Sequence, residues 1–189
     1  MAAICKVFVV SSNERLQAAL SRLLTRQKAL VYAGSSAGAP AALLVIRRDP
    51  PDVVISDSLP GNTQDVLVWR QIREHAYVLM WTHYRRESDI VKAVIAGASG
   101  LILAPDDSGP GLFEAILRAA RGTSYMPQET LTRLRAVAGG ETLSTLEEGE
   151  RALLAQIVDG RRDAEIGREM GLSSEEVPAH VARILDKLF

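Results

Sequence analysis

Several short apolar runs of the sequence are followed by small residues or by an acidic one. Ser11 and Ser12 follow the first run, Asp57 follows a later one, and Thr82 and Ala104 follow two more. A lone carboxylate among hydroxyls makes a poor Mg²⁺ site, because that ion is usually held by one or two carboxylates together with substrate phosphate oxygens. The sequence offers the serines no His–Asp arrangement for nucleophilic catalysis, so we expect no enzyme activity.

The elements that would position these residues repeat in a regular order over residues 1–124. Short runs rich in branched and aromatic residues alternate with helical stripes, and continuous apolar runs are typical of strands buried on both faces. Five such repeats predict an α/β, flavodoxin-like (CheY-like), doubly wound five-stranded parallel sheet. In that fold, the residues following strands 1 and 3 line a crevice. The strands are predicted at Ile4–Val10, Ala29–Ala33, Val53–Ser56, Tyr77–Trp81 and Leu101–Leu103.

The remainder of the chain is helical in pattern. Residues 125–144 form a predicted linker with one short amphipathic helix at 128–138. Residues 145–189 contain three predicted helices at 147–158, 163–170 and about 174–188, joined by Asp159-Gly160 and Gly171-Leu172. Three short helices with tight turns predict a small all-α helix-turn-helix domain.

Composition and charge exclude several classes of protein. The 189 residues carry a formal net charge of −1, and hydrophobic residues make up 47% of them, which is ordinary globular composition. One cysteine excludes a disulfide framework, and the three histidines have no metal-ligand spacing. We expect a cytoplasmic protein with no membrane segment, no metal and no cofactor.

Motifs along nearly the whole chain resemble those of bacterial response regulators of the NarL/FixJ (LuxR-type) family. The first part has PDVVISD, the strand-4 threonine and AGASG. The second part has LSTLEEGERALLAQIVDG and EIGREMGLSSEEVPAHVARILDKL. The resemblance implies a receiver domain, a DNA-binding helix-turn-helix domain, and double-stranded DNA of upstream regions as the partner.

The receiver motif of that family is incomplete here. The resemblance places Asp57 at the phosphoacceptor position, but Ser11 and Ser12 stand where the family has an acidic pair. Ala104 replaces the family's lysine, and Leu101 replaces an aromatic residue. Phosphoryl transfer requires that the negative charge on the equatorial oxygens of the transferred group be neutralised. We therefore expect a degenerate receiver that acts largely without phosphorylation. On this interpretation Asp57 is a leftover acid, capped by nearby hydroxyls and backbone amides. The alternative is that the crevice holds a small ligand or simply a fixed conformation.

The DNA-facing positions of the helix-turn-helix are also altered. Ser173 and Glu176 predict a capping box at the start of the last helix. The family's Thr-Val-Lys is here Glu176-Val177-Pro178, and Pro178 predicts a kink or a late start of that helix. Residues 145–189 contain ten acidic and six basic residues, so we expect weak DNA binding. The candidate DNA-contacting residues are Arg161, Arg162, Ser174, Glu176, His180, Arg183 and Lys187.

Two hypotheses for function follow. The first is a DNA-binding transcriptional regulator. The second is a degenerate regulator that acts through protein contacts, for instance as a heterodimer with a related regulator. The chain ends at Phe189, before the fourth helix that the family commonly uses for dimer contacts. We therefore expect any homodimer to form through the receiver-like part or the linker helix.

Overall fold

The computed structural model describes residues 4–58, 60–82, 87–103, 110–123, 125–126, 128, 131–132, 135–136, 146–173 and 175–188. The strands are β1 (Cys5–Val10), β2 (Leu30–Ser36), β3 (Val53–Ser56), β4 (Tyr77–Thr82) and β5 (Gly100–Leu103). The helices between and after them are α1 (Glu14–Thr25), α2 (Ala39–Ile46), α3 (Thr63–His75), α4 (Glu87–Ile95) and α5 (Pro110–Ala120). The C-terminal helices are α6 (Glu148–Val158), α7 (Asp163–Met170) and α8 (Glu176–Leu188).

The five strands form one parallel sheet in the order β2-β1-β3-β4-β5. This order confirms the predicted doubly wound fold. Val10 pairs with Ser56 at the carboxyl edge of the sheet, so the residues that follow β1 and β3 are neighbours. Strand β2 extends beyond its predicted end at Ala33, because Ser35 and Ser36 continue the pairing with β1 although they are polar.

The sheet is buried on both faces, as the apolar runs predict. Val7 and Val9 of β1 pack with α1 and α5 on one face. Phe8 and Val10 point to the other face, where α2, α3 and α4 pack. That second core continues without a break into the apolar residues of α6, α7 and α8.

The three C-terminal helices, residues 146–188, are called the helical unit here. Helix α8 packs against α3 and α4 of the α/β domain as well as against α6 and α7. The sequence pattern predicts the α/β domain and the helical unit as two separate domains. In the structure, one hydrophobic core includes residues of both. Most of the predicted linker, residues 125–144, lies outside the described residues, although positions 128, 131–132 and 135–136 are helical.

The start of α8 confirms the predicted capping box. The Ser173 N–H donates to Glu176 Oε2 at 2.8 Å, and the Glu176 N–H donates to Ser173 Oγ at 3.2 Å. The helix begins at Glu176, so Pro178 lies in its first turn, where a missing N–H is best tolerated. The helix thus becomes regular three residues after its cap, so Pro178 is the third residue of α8 although it is the fifth after Ser173.

No helix among the described residues has the length and apolar character that crossing a membrane requires.

Candidate functional site

The crevice at the carboxyl edge of the sheet is organised around Ser11 and Asp57. Ser11 is fully buried, and its hydroxyl donates to Asp57 Oδ2 at 2.9 Å. The same Ser11 oxygen accepts the Asn13 N–H at 3.0 Å, and Asn13 in turn caps α1 through its side chain. A serine therefore fills this position with a hydrogen-bond donor to Asp57, where an acidic residue would bring a second negative charge.

Further hydroxyl and amide groups hold this arrangement in place. Gln17 Nε2 donates to the Ser11 carbonyl, and Ser35 Oγ donates to Gln17 Oε1 at 2.7 Å. Ser58 Oγ donates to Asp57 Oδ1 at 3.3 Å. Both oxygens of the half-buried Asp57 carboxylate therefore accept hydrogen bonds from hydroxyl groups. These bonds stabilise the carboxylate, but the hydroxyls are neutral and do not cancel its negative charge.

The structure brings together only part of the predicted crevice. Ser11 and Asp57 are in contact, whereas Ser12 is exposed. The side chain of Thr82 and all of Ala104 lie outside the described residues.

These residues do not fit Mg²⁺. Asp57 is the one carboxylate of this hydrogen-bonded group, and Ser11 directs its proton at that carboxylate. Within the described parts of the chain, no three His, Cys, Asp or Glu side chains are grouped as metal ligands would be.

The predicted DNA-contacting residues are scattered over the helical unit. Arg161 pairs with Glu169, and the Arg162 guanidinium lies 5.5 Å from the centre of the Tyr77 ring. Lys187 donates to both carboxylate oxygens of Glu150, at 2.7 and 2.8 Å. Each of these three cations is therefore already engaged within the chain.

The other candidates lie on or near α8. Arg183 is exposed and His180 is half-buried, while Ser174 lies outside the described residues. The Glu176 carboxylate accepts the backbone N–H of Ser173, and this bond keeps the pKa of Glu176 below its ordinary value. Its carboxylate is thus used for capping.

One face of α8 lies against the α/β domain. Pro178 lines a cavity of about 550 Å³ together with Leu67 and Gln71 of α3. Leu185 lines another, of about 250 Å³, together with Val66 of α3. The position where the resemblance places a DNA-contacting lysine therefore faces α3 in this arrangement.

A charged cluster that sequence reasoning missed joins the two parts. Arg70 is fully buried, pairs with the buried Asp163 through two guanidinium nitrogens, and donates to the Ile95 carbonyl at 2.7 Å. Arg73 donates to the carbonyls of Gly160 and Arg161. We call Arg70, Arg73 and Asp163 the interdomain cluster.

The sequence carries a weak signal for this cluster. Arg70 and Arg73 are three residues apart on a helix whose neighbouring positions Trp69 and Ile72 are core residues. Two arginines so close to an apolar stripe indicate a covered face. Asp163 gives no such signal, because an acidic residue in the first turn of a helix is common.

The chain is similar to known proteins over both the α/β domain and the helical unit. VraR, a response regulator protein of Staphylococcus aureus (strain NCTC 8325 / PS 47), is 27% identical over 188 residues, which cover 97% of this chain and 90% of VraR. This chain is similar to that response regulator along nearly its whole length. The alignment runs through the α/β domain and the helical unit, so the similarity covers both parts of the chain. No family profile matches the chain.

Solved structures of response regulators share the fold. A structure of two RcsB dimers bound to two parallel DNAs superposes with a TM-score of 0.59 at 13% identity, covering 98% of this chain and 100% of that one. A two-component response regulator of the LuxR family from Aurantimonas sp. SI85-9A1 gives a TM-score of 0.58 at 24% identity, covering 69% of this chain and 94% of that one. VraR and the Aurantimonas protein are both named as response regulators.

Proposed function

We propose that this protein is a DNA-binding transcriptional regulator whose receiver-like domain works without phosphorylation of Asp57. The relationship to response regulators supports the general role, and the RcsB structure contains both DNA and dimers. The observation that carries the finer proposal is the hydrogen bond from buried Ser11 to Asp57.

The chemistry of phosphoryl transfer explains why that contact matters. The transferred group carries charge on its equatorial oxygens, which a metal ion and a cationic side chain normally neutralise. Asp57 instead has the hydroxyls of Ser11 and Ser58 as partners. Hydroxyls can orient a carboxylate, but they cannot replace a divalent cation. Transfer to Asp57 should therefore be very slow.

The test is to incubate the full chain with Mg²⁺ and acetyl phosphate and to measure its intact mass. We expect no phosphate adduct on the wild-type protein. The matched variant is Ser11→Asp, Ser12→Asp, Ala104→Lys, which restores the charges that the resemblance assigns to these positions. An adduct on the variant alone supports the proposal, whereas a stoichiometric adduct on the wild type would overturn it.

DNA binding through α8 requires a change in this arrangement. The exposed side chains of the helix, among those that the structure describes, are two acidic residues, two basic residues and one alanine: Glu176, Asp186, Arg183, Lys187 and Ala179. Their charges sum to zero. The face that contains Pro178 and Leu185 lies against α3. We therefore infer that α8 must leave α3 before that face can enter a major groove. We also infer that binding is weak and only modestly salt-dependent, because Arg161, Arg162 and Lys187 are engaged within the chain and few phosphates can be neutralised.

A gel-shift titration at low salt, on DNA from the protein's own upstream region, tests this role. Arg183→Ala should weaken binding and reduce the salt slope by about one. Arg168→Ala is the control, because Arg168 is also exposed but bonds back to the Ala164 carbonyl of its own helix. Equal behaviour of the two variants would contradict a role for Arg183.

A second candidate function is regulation through protein contacts, including a heterodimer with a related regulator. It is favoured by the covered face of α8 and by the pairing of Lys187 with Glu150. If the wild type produces no shift at any salt concentration, this function replaces DNA binding. Co-purification with a related regulator would then support it.

A further inference from the structure

A polar cavity of about 290 Å³ lies at the amino edge of the sheet, opposite the Asp57 crevice. It is formed where the α7 end of the helical unit meets the α/β domain. Its volume is at the lower end of the range for ligand sites, which favours a small ligand over a dinucleotide. Its lining includes Arg73, Tyr77, Gly122, Arg162 and Glu165.

Arg73 is the buried cation of this cavity. The residue is 5% exposed, and its Nη atoms donate to the backbone carbonyls of Gly97, Gly160 and Arg161. Its buried Nε has no hydrogen-bond partner among the described residues. Burial first, and then the charge of Arg70, lowers the pKa of Arg73 to about 10. An unpaired buried N–H is costly, and Arg73 lines the cavity, so a ligand that drew the Arg73 side chain toward the cavity would relieve that cost.

Arg162 is the second cation, and it comes from the helical unit. Its guanidinium lies over the Tyr77 ring, 5.5 Å from the centre. A Cβ at Gly122 would lie 2.8 Å from the Tyr77 hydroxyl, and the φ of +77° at Gly122 also disfavours other residues. Glycine thus leaves room for the phenol at the cavity wall. Glu165 also lines the cavity, but its carboxylate accepts the Arg162 backbone N–H at 2.8 Å.

We propose that this cavity binds a phosphate group, held by Arg73 and Arg162. Among the described residues that line the cavity, two carry guanidinium groups and one a carboxylate, so the lining has a net positive charge. Guanidinium N–H groups match phosphate oxygens in geometry, and a phosphate accepts more hydrogen bonds than a carboxylate does. Because Arg73 belongs to α3 and Arg162 to the helical unit, a bound phosphate would connect the two parts. It would then stabilise their association by mass action.

Isothermal titration calorimetry of the full chain with inorganic phosphate, at constant ionic strength, tests the proposal. We expect saturable one-to-one binding, and a rise in the melting temperature with phosphate concentration. Arg162→Gln should weaken binding about tenfold, which corresponds to about 1.4 kcal/mol. The matched control is Arg161→Gln: Arg161 is the exposed neighbour, pairs with Glu169, and does not line the cavity. This control should bind like the wild type.

Two further measurements complete the test. Arg73→Lys keeps the charge but removes the Nε donor, and it should also weaken binding; if it fails to fold, Arg162→Gln still decides. Glycerol 3-phosphate in place of inorganic phosphate distinguishes a phosphorylated metabolite from the free ion by which of the two binds more tightly. Absence of saturable binding, or equal affinity in the wild type and Arg162→Gln, overturns the proposal. Neither phosphate compound is a phosphodonor to Asp57, so this result is independent of the proposed function.

Discussion

Asp57 and Asp163 are both carboxylates that accept hydrogen bonds, but their surroundings are opposite. Asp57 is half-buried in the crevice and its partners are hydroxyls. Asp163 is 1% exposed in the interdomain cluster and its partner is the fully buried guanidinium of Arg70. Asp57 therefore has neutral hydroxyl groups as hydrogen-bond partners. Asp163, in contrast, forms a buried ion pair that joins the helical unit to α3.

The energetic consequences of the two settings differ. A hydrogen bond to a charged group such as the Asp57 carboxylate contributes about 1.5–3 kcal/mol net. A buried ion pair contributes little relative to an apolar replacement, yet removing one partner leaves an uncompensated buried charge. The interdomain cluster should consequently be more sensitive to mutation than the crevice.

The largest expected effect is that of Asp163→Asn. The change leaves the Arg70 charge buried without a counter-charge, and we expect a loss of about 3–5 kcal/mol in the free energy of unfolding. Urea denaturation followed by circular dichroism measures it. Glu169→Gln, which breaks the exposed pair with Arg161, is the control and should cost less than about 1 kcal/mol. Similar losses for the two variants would show that the buried pair contributes no more to stability than an exposed one.

An intermediate effect is expected in the crevice. Ser11→Ala removes the donor to Asp57 and the acceptor of the Asn13 N–H, and should cost about 1–3 kcal/mol because buried groups lose their partners. Ser12→Ala is the matched control at an exposed position and should change stability by less than about 0.5 kcal/mol. Thermal and urea unfolding of both variants measure the difference. An equal response would mean that the two serines are equivalent after all.

The smallest effect concerns the link between α6 and α8. The hydrogen bond from Lys187 keeps the pKa of Glu150 below its ordinary value. The resulting stability is present above the unfolded-state pKa of Glu150 and is lost as pH falls through the folded-state pKa. Lys187→Ala should therefore cost about 0.5–1 kcal/mol at neutral pH and progressively less in acid.

The control for that measurement is Lys28→Ala, at an exposed position after α1. Urea titrations of both variants at neutral and acidic pH give the comparison. A difference between Lys187→Ala and the wild type that does not change with pH would exclude the pairing with Glu150 as its source.

Features that depend on residues close in sequence could be predicted, whereas contacts between distant segments could not. The apolar runs located all five strands, and the Ser173–Glu176 spacing located the cap of α8, because both depend on residues close in sequence. The same reasoning could not separate Ser11 from Ser12, since both follow β1 and both carry a hydroxyl. Only the packing of β1 beside β3 shows that Ser11 reaches Asp57.

The sequence by itself determined the sheet, its order of elements, the three C-terminal helices and the presence of serines rather than acidic residues after β1. These features depend on hydrophobic periodicity, capping and residue type, which act over a few positions. The tertiary structure alone decided that Arg70 meets Asp163 across 93 positions of sequence. It also decided that Pro178 faces α3 and that Arg73 and Arg162 share a cavity. Such contacts arise from burial between distant segments, and no short-range pattern specifies which charges that burial brings together.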